Sequence, residues 1–107
     1  MDMFLERLQG QQLYIDEMTL KHVDEGLALF LAVRCMSVKY IVHCYNISSF
    51  RVNGFSFPAI IYGFEVIDNL QRGWQSDIRY RIQDFEEDMI SLYCEEIDII
   101  CQNDSAE

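Results

Sequence analysis

Apolar residues fall at every second position in a series of short runs from Leu13 to Cys101, an alternation that points to strands. Leu13 and Ile15 share a face, and after a break Met18 and Leu20 share one, opposite Thr19 and Lys21. Lys39 to Ile47 is a β-branched and aromatic run of the kind that fills a central strand. Ala59 to Ile67 reads as one further strand, with Ile60, Tyr62, Phe64 and Val66 on one face. Ile78, Tyr80 and Ile82 then alternate with Arg79, Arg81 and Gln83, the pattern of a half-buried antiparallel strand. In the last run Ile90, Leu92 and Cys94 face one way and Ile97, Ile99 and Cys101 the other. A β-bulge at Glu95-Glu96 would restore one core face along that strand.

Residues 27–35 satisfy both a strand and a helix, since Leu27, Phe30, Leu31, Arg34 and Cys35 also fall at helical spacing. Leucine and alanine favour the helix. The tight turn at Asp24-Glu25-Gly26 and the flanking strands favour the strand, which is the expectation adopted. Asn53-Gly54 is a hairpin or turn signal between Phe50-Arg51-Val52 and Phe55-Ser56-Phe57, and Pro58 restricts Phe57 to an extended conformation. At the start, Asp2 can cap and Gly10 can end a short helix over 1–10, with Phe4, Leu5 and Leu8 on one face.

With 107 residues, half of them hydrophobic, the chain is long enough for one packed domain and not two. Turns about every 8 to 12 residues imply a mainly β fold, an antiparallel β-sandwich or small barrel of about seven or eight strands. Residues 102–107 are expected to fray. The apolar stretch Leu27 to Val33 is far short of the roughly 18 to 20 residues that span a bilayer. The first residues carry acids where a secretory signal would carry bases, so the expected compartment is the cytoplasm.

The formal net charge of −10 argues against nucleic acid as a partner. That charge is segregated. Residues 1–25 hold six acids and two bases, residues 26–64 no acid and three bases, and residues 65–107 twelve acids and three bases. An acid-free sheet interior with charged edges accounts for part of this. An acidic face aimed at a basic partner accounts for it too, and would steer association at low salt.

Cys35, Cys44, Cys94 and Cys101 form no CxxC spacing, and the first three sit in apolar runs where reduced cysteine acts as a small hydrophobe. Cys101 is expected to be the most exposed. His43 and Cys44 are neighbours on a strand and point to opposite faces, which disfavours a Cys–His nucleophile pair. The acids Asp84, Glu86, Glu87 and Asp88 lack the length and glycine of an EF-hand loop. No GxSxG elbow and no phosphate-binding glycine loop is present, so no catalytic residue, cofactor or metal is assigned.

Arg72-Gly73-Trp74 is the most distinctive local cluster, and arginine with tryptophan is interface hot-spot chemistry. A partner-binding set of Trp74, Arg72, Asp84, Glu86, Glu87 and Asp88 follows. The alternative is a small-ligand pocket lined by Phe55, Phe57, Tyr62 and Trp74. A homodimer through an edge strand at Ile97 to Cys101 is compatible with either.

Phe57-Pro58, Tyr62-Gly63-Phe64-Glu65, Arg72-Gly73-Trp74 and the acidic stretch Asp84 to Asp88 resemble parts of small acidic β-rich bacterial proteins. These include immunity proteins that neutralise toxins, and accessory proteins of mobile genes. The resemblance covers Asn53 to Ile99 and implies a non-enzymatic binder that caps a basic toxin. It carries over no catalytic or inhibitory residue.

Overall fold

The computed structural model describes residues 8–24, 26–54, 56–69 and 79–102. Nine strands are seen among them: β1 (Leu13–Val23), β2 (Gly26–Cys35), β3 (Val38–Tyr45), β4 (Ser48–Val52), β5 (Ala59–Ile61), β6 (Phe64–Asp68), β7 (Tyr80–Asp84), β8 (Ile90–Cys94) and β9 (Glu96–Cys101). They form two antiparallel sheets, one in the order β5-β1-β2-β3-β9 and the other β4-β8-β7-β6. The chain is mainly β, as its alternation requires.

Residues 27–35 lie in β2, a strand hydrogen-bonded on both sides by β1 and β3. Leu29, Leu31, Val33 and Cys35 point into the core, while Phe30, Ala32 and Arg34 are half-buried on the outer face. Two ladders of backbone bonds outweigh the helix propensity of leucine and alanine. Gly26 opens the strand at φ 132°, and a Cβ there would stand 2.7 Å from Asn46 Oδ1. Met36 and Ser37, both at positive φ, then connect Cys35 to Val38 by a two-residue turn. Such turns suit the twist of a hairpin, and here the chain makes one without glycine.

The strand count exceeds the expected seven or eight because two runs that read as single strands each divide between the sheets. Ala59 to Ile67 bends at Tyr62-Gly63, leaving β5 in the five-stranded sheet and β6 in the four-stranded one. Inward residues stand two apart along a strand but three apart across this bend, where Ile61 and Phe64 are both buried. Ile60 and Tyr62 therefore do not share the core face of Phe64 and Val66, and Tyr62 is 45% exposed. The parity change at Glu95 has the same cause. Instead of bulging within one strand, the chain leaves β8 in one sheet and enters β9 in the other. Asn46-Ile47 makes a third such corner, between β3 and β4. Main-chain bonds hold these corners, among them Ile47 N–H to Leu27 O at 2.9 Å and Glu95 N–H to Tyr45 O at 3.0 Å.

Of the hairpin or turn that Asn53-Gly54 signals, the hairpin does not form: the chain bends at Gly54, at φ 64°, while β4 pairs with β8 and the described residues 56–58 belong to no strand. Asn53 is tied instead to the β7–β8 turn, its N–H to Met89 O and its Nδ2 to Asp88 O, both at 2.9 Å. The expected short helix over 1–10 lies mostly outside the described residues, which include only 8–10 of that span. Gln9 and Gly10 cover the free edge of β6. The Gln9 side-chain amide donates to Val66 O and accepts from Val66 N–H, and Gly10 N–H reaches Phe64 O at 2.7 Å. An amide that pairs as a strand residue would protects a sheet edge.

One core cluster joins the two sheets, with Phe64, Leu29, Leu31, Ile82 and Leu92 among its fully buried members. Burying each such side chain contributes about 1.5–3 kcal/mol. The acid-free middle supplies the central strands β2 and β3, but also β4 and β5, which lie at sheet edges. Among the described residues Asp16, Asp68 and Asp88 pair with Arg34, Arg79 and Arg51. Asp16, at the irregularity of β1, receives both Arg34 Nε and an Arg34 terminal nitrogen, and that hydrogen bonding holds its carboxyl below the usual range. The last strand, β9, is at the edge of its sheet, where the sequence places the Ile97–Cys101 segment.

Candidate functional site

Strand β7 carries an acid at an inward position, in line with Ile82, and that acid organises the surface beside it. Asp84 is only 3% exposed. A carboxylate so placed is tolerated when its oxygens are hydrogen-bonded. Asp84 Oδ1 accepts from Gly63 N–H at 3.2 Å and Glu86 N–H at 3.1 Å, and Oδ2 accepts from Met89 N–H at 3.2 Å. One side chain thus ties the β5–β6 corner to the turn between β7 and β8. Phe85 N–H adds a main-chain bond to Gly63 O at 2.9 Å.

Gly63 is required by this approach rather than by its backbone angles. A Cβ there would stand 2.5 Å from Glu86 Cγ and 3.0 Å from Glu86 N. Gly63→Ala is expected to push the turn away and cost about 1–3 kcal/mol, measured as a lower denaturation midpoint. A change within about 0.5 kcal/mol would mean that the turn yields freely.

The corner and the turn together present Tyr62 and Phe85, 45% and 55% exposed, next to the exposed acids Glu86 and Glu87. Neither Glu86 nor Glu87 has an ion pair among the described residues. Asp88, at φ 54°, is held by Arg51, whose terminal nitrogen lies 2.9 and 2.8 Å from its two oxygens. Of the four acids read from the sequence as one partner-binding set, Asp84 is buried and structural, Asp88 is paired, and Glu86 and Glu87 project.

Arg72 and Trp74 lie outside the described residues, as does Phe55 of the alternative pocket. Phe57 is 53% exposed on the segment before β5, and Tyr62 belongs to the acidic corner. Two depressions of about 440 and 350 Å3 are lined by Tyr45, Asn46, Glu95 and Glu96, and by Gln11, Cys35, Met36, Val38 and Tyr40. Neither is lined by Phe57 or Tyr62, the two residues of the expected ligand pocket that are described.

Sequence reasoning missed Phe85 and Gly63. A signal for the arrangement was present, because Tyr80, Ile82 and Asp84 fall on one face and an acid in that series must find backbone donors. His43 and Cys44 point to opposite faces as expected, with His43 Nδ1 3.1 Å from the Tyr45 hydroxyl. Among the described residues, Cys35, Cys44 and Cys94 are buried and Cys101 is the most accessible cysteine. Burial pushes the Cys35 thiol up, which disfavours the reactive thiolate. No group of three or more His, Cys, Asp or Glu among the described residues could hold a metal ion. None of the described helical residues forms a segment long and apolar enough to cross a membrane.

No protein-family model, curated protein or solved structure matches this chain.

Proposed function

We propose that this protein is a non-enzymatic acidic binding module of the immunity type. It is built as a β-sandwich, works in the cytoplasm, and takes a basic protein partner on the corner formed by Tyr62, Phe85, Glu86 and Glu87. The observation that carries this reading is the pair of half-exposed aromatic side chains beside two unpaired carboxylates, on a turn pinned by the buried Asp84. Aromatic groups on a preorganised turn bind with little loss of conformational freedom. The acids beside them favour a partner of opposite charge and raise its association rate. Arg72 and Trp74 keep their place in the proposal as further contacts on the partner.

The test is capture from the native host's lysate at low and high salt, with the whole chain and a Glu86→Gln/Glu87→Gln variant as baits. Mass spectrometry should identify a basic protein held by the unaltered chain at low salt and released at high salt. The variant should hold it several-fold less tightly and with a flatter salt dependence. Equal retention of the same partner by both baits would remove the acidic turn from the reading.

A further inference from the structure

Two buried thiols meet across the core, and neither belongs to the corner described above. Cys44 lies on β3 of the five-stranded sheet and Cys94 on β8 of the four-stranded sheet, both fully buried. Facing sheets normally stand about 10 Å apart, too far for a disulfide between opposed side chains. This pair sits where that gap closes. Cys94 is the last residue before the Glu95 corner, and Glu95 N–H is bonded to the carbonyl of Tyr45, the residue after Cys44. Cys44 also faces Ile97 in the β3–β9 ladder, so the chain has crossed to its sheet within three residues of Cys94. The main-chain bond between their neighbours and the β3–β9 register thus bring the two buried cysteines to one corner of the core.

We infer that Cys44 and Cys94 form a reversible disulfide that clips the two sheets together, making this protein a thiol–disulfide responsive module. With oxidised glutathione as the oxidant, one protein thiolate attacks its S–S bond and releases one glutathione thiol. The second protein thiolate displaces the other glutathione from the mixed disulfide. One Sγ–Sγ bond has then formed and the glutathione S–S bond has broken. Two electrons have passed to glutathione, and the two thiol protons end on its two sulfurs. The hydrogen bond with Cys94 and burial keep the Cys44 thiol well above its ordinary range, so oxidation in the folded state is slow and waits on opening of the β8–β9 corner. Closing the long segment between these residues constrains the unfolded chain strongly.

The experiment treats the reduced whole chain with oxidised glutathione in two ways, folded and during refolding from denaturant, so that burial cannot hide the thiols. Both products are read by intact mass, non-reducing peptide mapping and thermal unfolding. The refolded product, and more slowly the folded one, should lose the mass of two hydrogens and yield a peptide joining Cys44 to Cys94. Its Tm should rise by roughly 10 °C or more, and return when the bond is reduced. Cys35→Ala/Cys101→Ala should keep the effect, while Cys44→Ala and Cys94→Ala should each lose it. Retention of all four thiols in both arms, a link through Cys35 or Cys101, or a Cys44–Cys94 link that lowers Tm would overturn the inference.

Discussion

Asp84→Ala should lower the stability of this protein by about 3 to 4 kcal/mol, and its Tm by roughly 15 °C. The substitution leaves the N–H groups of Gly63, Glu86 and Met89 without the oxygens they now reach, at a site only 3% exposed. Each unsatisfied donor costs about 1–3 kcal/mol if water stays out, and part of that is recovered as the turn loosens and water enters. Asp84→Asn keeps one acceptor oxygen and should lose about half as much. Glu87→Ala, three residues along the same turn and exposed, should change stability by less than about 0.5 kcal/mol. Denaturant titrations of the three variants decide the matter. If Asp84→Ala behaved like Glu87→Ala, the carboxylate would not be what joins the β5–β6 corner to the β7–β8 turn.

The second large effect is on binding. Tyr62→Ala combined with Phe85→Ala should weaken the basic partner by about a hundredfold or more, since central aromatic anchors each contribute about 2 kcal/mol or more. Stability should move far less, because both side chains are about half exposed and neither belongs to the core cluster. Titration calorimetry with the captured partner, alongside thermal unfolding, separates the two. Lost affinity with an unchanged Tm places the aromatic pair in the interface. Unchanged affinity would leave these aromatics as surface and move the contact elsewhere.

Both experiments depend on a feature only partly legible in the sequence. Alternation located the strands, and for residues 27–35 the neighbouring turns were a better guide than propensity, because β2 gains a ladder on each side. The parity change after Cys94 was visible, yet a bulge and a change of sheet leave the same trace in a sequence. At 59–67 even that trace was masked. Ile60 and Ile61 are both apolar, so the series Ile60, Tyr62, Phe64, Val66 looked continuous although Ala59 and Ile61 hold the buried positions. The acids of 84–88 read as one partner-binding set because charge alone does not reveal that Asp84 continues the inward series of Ile82.

Local periodicity and turn chemistry, then, determined that this chain is mainly β, that 27–35 is a strand, and that Cys44 is inward while His43 is not. Each of these follows from side chains alternating along a strand, which needs no knowledge of distant residues. The tertiary structure decided the division into two sheets, the corners at Asn46-Ile47, Tyr62-Gly63 and Glu95, and the meeting of Gly63 with Phe85 and Glu86. It also decided that Cys44 and Cys94 lie at one corner, beside the bond from Glu95 N–H to Tyr45 O. These are contacts between residues far apart in the chain, set by how two sheets close around one core, and no local pattern encodes them.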